Sequence, residues 1–266
     1  MSIYEKSLIK AFKKCNIKQG DTVLVHSDIL KLGLFEKTIR ETLNTYYNSI
    51  KKVVGEKDGT IAVPAFFYEY SRFKKPFDIK KSPVSKELGI FSAYVNELKS
   101  SKRSINPISS IAAVGKNSKF ICEGQTGSAF GVDSAWDRLQ KLKAKMLFVG
   151  VDTSVMTYPH YVEHMIGVPH IYNKYFKTPV YKNGKKIQFP ISAQLRYLDY
   201  DIKYRNNYNQ LFEKNGLIIK TKLNKGYISS VKFEDMFTFL QKKIQKDFFF
   251  YLKNKPKFNK NKVPIK

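Results

Sequence analysis

The chain has 266 residues, 42% hydrophobic and 14% aromatic, which is enough apolar material for a substantial core and excludes collagen-like, mucin-like and disordered polymers. Its longest apolar runs, 61–67 (containing Pro64) and 248–252, fall far below the roughly 20 residues a membrane-spanning helix requires. The formal charge is +26, yet only six of the 48 basic residues are arginine. Arginine's planar fork is what grips phosphate and guanine with two bonds at once, so a lysine-rich nucleic-acid binder is kept only as an alternative.

Helical spacing of Tyr4, Leu8, Ile9, Ala11, Phe12 and Cys15 predicts a first helix over 4–15, with no secretory h-region, so a cytoplasmic location is expected. Gly20-Asp21 then turns the chain into a strand, Thr22–Ser27, whose polar tip lies where α/β proteins keep ligands. An amphipathic helix over 38–54, the Asp58-Gly59 turn and a buried strand over 60–66 follow. The aromatic, Pro-containing stretch 68–83 shows no period and is expected as a long loop, of the kind that is often functional. A helix over 85–98, a strand over 110–114, a helix over 135–142 and a strand over 145–151 complete this half. The alternation predicts an α/β fold with a mixed, partly parallel central sheet flanked by helices.

Beyond residue 175 the pattern changes. Alternating residues around Asn183-Gly184 predict a β-hairpin, part of an added subregion at about 176–200 toward the C-terminus. A helix over 204–215, a second strand pair (217–223 and 227–231) and a closing helix over 233–252 follow. Residues 253–266 hold six lysines and no acid and read as a disordered tail, leaving 1–252 as a single domain. An exposed hairpin face would allow a homodimer.

Only four histidines occur: His26, His160, His164 and His170. In Thr157-Tyr-Pro-His160-Tyr-Val-Glu163, Thr157 can cap a helix and proline suits a first helical position. His160 and Glu163 then share one helix face, and the carboxylate can fix the imidazole as a general base. The same pair would equally serve as an ordinary surface contact. A zinc site at His160, Glu163 and His164 lacks the His-Glu-x-x-His order, so no metal is expected. His26-Ser27-Asp28 and the loop to Gly33 would present amides and hydroxyls to a phosphate-bearing ligand. Arg103-Ser104 with Ser110 could bring a cation and hydroxyls to an anionic cofactor, though a plain loop-to-strand passage fits as well. Cys15 and Cys122 read as buried thiols.

Taken in order, Gly20-Asp-Thr-Val-Leu-Val-His-Ser27 with Gly33, Asp58-Gly-Thr-Ile-Ala-Val-Pro-Ala-Phe66, Arg103-Ser-Ile-Asn-Pro-Ile-Ser-Ser110-Ile-Ala-Ala-Val-Gly115, Gly131-Val-Asp-Ser134, Leu147-Phe-Val-Gly150 and Thr157-Tyr-Pro-His160-Tyr-Val-Glu163 resemble the antibiotic N-acetyltransferase family, the aminoglycoside 3-N-acetyltransferases and their relatives. The resemblance implies transfer of an acetyl or larger acyl group from coenzyme A to a primary amine on a sugar. It implies His160 as the catalytic base and Glu163 as its partner. It places His26, Ser27, Asp28, Gly33, Arg103, Ser104 and Ser110 along the coenzyme A site, with Phe66, Tyr68 and Thr157 toward the acceptor. The sequence departs from the pattern at Asp28, where a serine is usual, and in its charge. A polycationic drug would be repelled within a Debye length, roughly 8 Å at physiological salt. On that ground a nucleotide-linked amino sugar for surface glycan synthesis is the expected acceptor, and an aminoglycoside the alternative.

Overall fold

Strand and helix alternate in the computed structural model, which describes residues 3–33, 36–197, 200–205 and 208–258. Helix α1 (Ile3–Lys14) leads to β1 (Thr22–Ser27), and α2 (Ile39–Val54) to β2 (Thr60–Pro64). Next come α3 (Glu69–Phe73), β3 (Phe77–Asp78), α4 (Ile90–Glu97), β4 (Lys102–Arg103), β5 (Ile111–Gly115), α5 (Ser118–Cys122), α6 (Ala135–Lys141), β6 (Lys145–Val149) and α7 (Tyr158–Ile166). The remainder holds β7 (Ile171–Phe176), β8 (Val180–Lys182), β9 (Lys185–Lys186), β10 (Ile191–Arg196), α8 (Tyr208–Lys214), β11 (Ile219–Leu223), β12 (Gly226–Lys232) and α9 (Phe233–Lys246).

Among the described residues the main sheet has the order β11-β12-β6-β1-β2-β5-β4. Its centre is parallel, β1 pairing with β2 and β6, and both flanks are antiparallel. The mixed, partly parallel sheet is the one expected. Period-two alternation divides its side chains between two layers. Val23, Val25, Ile61, Val63, Leu147 and Val149 pack with α1, α2 and α4 on one side. Leu24, Ala62, Met146 and Phe148 face α6, α7 and α9 on the other. His26 belongs to that second face and stacks on Phe148, with ring centroids 5.3 Å apart. Helix α2 begins on a full capping box: Thr38 accepts from the Glu41 amide while the Glu41 side chain accepts from the Thr38 amide.

Several local expectations change. Residues 68–83 are not a structureless loop: Tyr70 and Phe77 are fully buried in a separate cluster with Phe67, Val180 and Ile191, and β3 pairs in parallel with β8. Burying those aromatic rings orders the segment. The Asn183-Gly184 hairpin forms as expected, with both turn residues at positive φ. The second strand pair, β11–β12, extends the main sheet beyond β6. Its buried stretch Ile228–Val231 lies against β6, which draws it in. The closing helix stops at Lys246 because Asp247 turns its carboxylate onto the Phe249 amide, a side-chain bond that competes with the helical one. Of the lysine-rich end, residues 253–258 are described: the Lys253 amide bonds the Lys203 carbonyl and Phe258 packs edge-on against Tyr200. The rest of the stretch expected as a tail lies outside the described residues.

Candidate active site

Parallel strands β1 and β6 end side by side, and the chain leaves them through tight backbone turns. The Asp28 amide bonds the Val149 carbonyl, and Gly150 follows at φ +71°, where only a glycine fits: a Cβ there would lie 2.2 Å from the Asp28 carbonyl oxygen. Above this edge opens a cleft of about 560 Å³. Its walls include the apolar Leu30, Leu88, Ile90 and Val155, and its floor holds His26, Ser27 and Asp28. Two buried polar atoms there, His26 Nε2 and Ser27 Oγ, have no hydrogen-bond partner among the described residues. Unsatisfied buried polar atoms are uncommon, and at a cleft they mark a place for a ligand. Burial pushes the His26 imidazole down to about 4, so it is neutral at physiological pH.

A second cavity of about 370 Å³ lies beside the first and shares Tyr68 and Thr157 with it. Phe66, Ile108, Phe130 and Ile171 give it apolar walls, and His160 projects into it from α7. Helix α7 starts with a proline in its first turn and closes on Gly167 in the left-handed region, burying Tyr158, Tyr161, Val162 and Glu163. The His160 side chain is 44% exposed and Glu163 only 1%. Three residues apart on the helix, they meet at 3.2 Å, His160 Nδ1 on Glu163 Oε2. The Tyr204 hydroxyl donates to the same oxygen at 3.2 Å, and His170 Nε2 lies 3.1 Å from Oε1. Burial alone would raise the Glu163 carboxyl, but hydrogen bonds from His160 and His170 outweigh it and hold the group below the usual carboxylate range. An ionised carboxylate on Nδ1 leaves the Nε2 edge of His160 free to accept a proton.

Most of the sequence-derived site therefore assembles: His26, Ser27 and Asp28 in one cleft, His160, Glu163 and Phe66 in the next, Tyr68 and Thr157 at the junction. Four residues do not join it. Arg103 is buried, and its guanidinium donates to the carbonyls of Ala65 and Ser82 and packs over Phe77 at 4.7 Å. Ser110 also bonds the Ala65 carbonyl, and Ser104 Oγ accepts from the Ile111 amide at 2.8 Å. With their hydrogen-bonding capacity spent inside the fold, Arg103, Ser104 and Ser110 lock the β2–β5 corner and line neither cavity. Gly33 closes a short helical turn at φ +64°, held through the Asn224 side chain, and likewise lines neither. Thr157 occupies the cap position but makes no side-chain capping bond. Burial raises the Cys122 thiol well above its ordinary value, and its Sγ–H points at the Ile111 carbonyl, so it is no nucleophile. Sequence reasoning missed His170 and Tyr204, which reach Glu163 from outside its helix.

A partly parallel α/β sheet with a carboxylate-held imidazole in one of two adjoining clefts defines the class to which this chain is compared. A model of the aminoglycoside 3-N-acetyltransferase family matches residues 24–245, and the chain belongs to that family. It is similar to aminoglycoside N(3)-acetyltransferase III of Salmonella sp, with 23% identity over 176 residues, 62% of this chain; the match spans only 62% of that relative's length. Among solved structures it is similar to AAC-IIIb in a binary complex with CoASH (TM-score 0.77, 17% identity, covering 95% of this chain and 98% of that one). It is also similar to a histidine-to-alanine variant of AAC(3)-IVa in complex with a gentamicin (TM-score 0.75, 18% identity, covering 93% and 90%). These likenesses correct one expectation. The nucleotide-linked amino sugar is not upheld, because the family model and the similar proteins are aminoglycoside acetyltransferases. A charge of +26 belongs to the whole surface and does not act as a unit at the acceptor. Among the described residues the cavity that holds His160 is lined by no lysine and by one arginine, Arg196, beside the Glu163 carboxylate, and charges beyond about 8 Å are largely screened.

Proposed function

We propose that the protein transfers an acetyl group from acetyl-coenzyme A to a primary amine of an aminoglycoside, with His160 as general base. The observation that carries the reading is the imidazole of His160, held by a buried carboxylate and presented to a cavity that adjoins a second, ligand-sized cleft. The named relative and the solved neighbours support both partners, since their descriptions include an aminoglycoside acetyltransferase, a CoASH complex and a gentamicin complex.

The residues of the larger cleft fit a pantetheine arm: apolar walls suit its methylenes, and His26 Nε2 and Ser27 Oγ are free to meet its amide groups. Bound acetyl-coenzyme A supplies an activated thioester. The remaining work belongs to side chains of this chain. An aminoglycoside ammonium first gives one proton to solvent, exposing its lone pair. As the free amine attacks the acyl carbon, His160 Nε2 takes a second proton from the nitrogen, the carbon–sulfur bond breaks, and that proton passes to the leaving sulfur. Glu163 stabilises the imidazolium so formed and fixes the ring orientation. The product is an amide, and coenzyme A leaves with a free thiol.

The direct test is thiol release from acetyl-coenzyme A in the presence of a panel of aminoglycosides. Thiol release only when an aminoglycoside is supplied is the expected result; release with none of them would remove the reading. Gly150→Ala provides a second check on the donor cleft. Its new methyl group must displace the loop at Asp28, so the KM for acetyl-coenzyme A should rise by roughly tenfold or more while His160 stays in place. An unchanged KM would show that the donor lies elsewhere.

A further inference from the structure

We propose that His170 is a positioning residue: it grips the second oxygen of Glu163 and thereby aims the carboxylate at His160. The inference rests on the reading of His160 as the base. Glu163 is 1% exposed, and a buried carboxylate needs hydrogen-bond donors on both oxygens. Oε2 has two, His160 Nδ1 and the Tyr204 hydroxyl. Among the described residues Oε1 has one, His170 Nε2 at 3.1 Å. That donor arrives because the left-handed turn at Gly167 sends the chain back across the end of α7, bringing a residue seven positions after Glu163 onto its carboxylate.

The arrangement fixes the chemistry of His170. To donate to the carboxylate its proton must sit on Nε2, and its Nδ1 has no partner among the described residues. The ring is fully buried, packed against Tyr204 and Phe249, so it cannot itself meet a substrate. Its part is played through Glu163. The other titratable groups around the carboxylate are the phenols of Tyr204, Tyr208 and Tyr251 and the guanidinium of Arg196 in the same cavity, and none of them bonds Oε1. Without His170, Oε1 would be buried unpartnered, the neutral acid would gain, and the grip on His160 would weaken.

The test compares wild type with His170→Phe, which fills the space without a donor, and His170→Gln, whose amide nitrogen replaces Nε2. Carbon-13 NMR of the glutamate carboxyls follows the Glu163 titration, and kinetics give kcat and KM across pH. In His170→Phe the Glu163 midpoint is expected to move up by about one unit or more, and the acid limb of kcat/KM, set by the base, to move down as the carboxylate's hold on the imidazolium weakens. The kcat should fall roughly 10- to 100-fold with the KM for acetyl-coenzyme A unchanged. His170→Gln should restore all three. A folded His170→Phe with wild-type midpoint and pH profile, or a glutamine that restores nothing, overturns the proposal. Should the phenylalanine variant not fold, nitrogen-15 NMR of wild-type His170 decides: protonation on Nε2 supports the role and protonation on Nδ1 refutes it. A wild type inert toward every aminoglycoside would remove the acceptor reading, while the carboxyl titration would still judge His170.

Discussion

Replacing His160 by alanine should lower kcat by roughly 10²- to 10⁴-fold and leave the melting temperature near that of wild type. The first half follows from geometry. Among the described residues His160 alone joins a carboxylate contact at Nδ1 to an edge open toward the second cavity, and His170, the other histidine on Glu163, is fully buried. The second half follows from exposure. With 44% of the side chain exposed, truncation removes little core packing, and Glu163 keeps the hydrogen bonds from His170 and Tyr204. The residual rate, from holding acetyl-coenzyme A and amine together, should be insensitive to pH around neutrality. Steady-state kinetics and thermal melting check both halves; full turnover in the variant would contradict the mechanism.

The second large effect is on stability. Arg103→Met should destabilise the fold by about 3 kcal/mol or more, yet leave the KM for acetyl-coenzyme A unchanged. Desolvation is severe enough to push the guanidinium down to about 9, but it remains charged at pH 7. It does so because its donors meet carbonyl oxygens of Ala65 and Ser82 and its face lies over Phe77. Methionine fills the space without a donor, leaving the Ser82 carbonyl without its Arg103 partner and the Ala65 carbonyl with only the Ser110 hydroxyl. For a chain of this length the loss corresponds to a fall in Tm of roughly 6–12 °C. A stable variant with a raised KM would return Arg103 to the donor site.

How much of this was legible in the sequence depends on the range of the interaction. Strand β1 could be read because a short β-rich run, Val23 to Val25, follows the Gly20-Asp21 turn and ends polar, and those signals need only neighbours. The tip at His26 and Ser27 followed from where a parallel sheet keeps its ligands. His160 and Glu163 could be paired because a helix fixes what lies three residues apart. His170 and Tyr204 could not, since they reach Glu163 across seven and 41 positions through segments without a period. An arginine beside serines reads the same whether it faces a ligand or a ring of carbonyls, and burial, which decided Arg103 against the cleft, is a property of the fold. Net charge failed as a guide to the acceptor for a related reason: it sums over the whole surface, whereas a binding site feels only what lies within a few ångströms.

The most direct measurement of the central claim is a structure of the His160→Ala variant with coenzyme A and an aminoglycoside bound together. The expected complex has the pantetheine arm over His26 and Ser27, its sulfur at the junction formed by Tyr68 and Thr157, and an acceptor amine within hydrogen-bonding reach of the place the imidazole vacates. Coenzyme A in a different cavity, or every acceptor amine far from position 160, would contradict it.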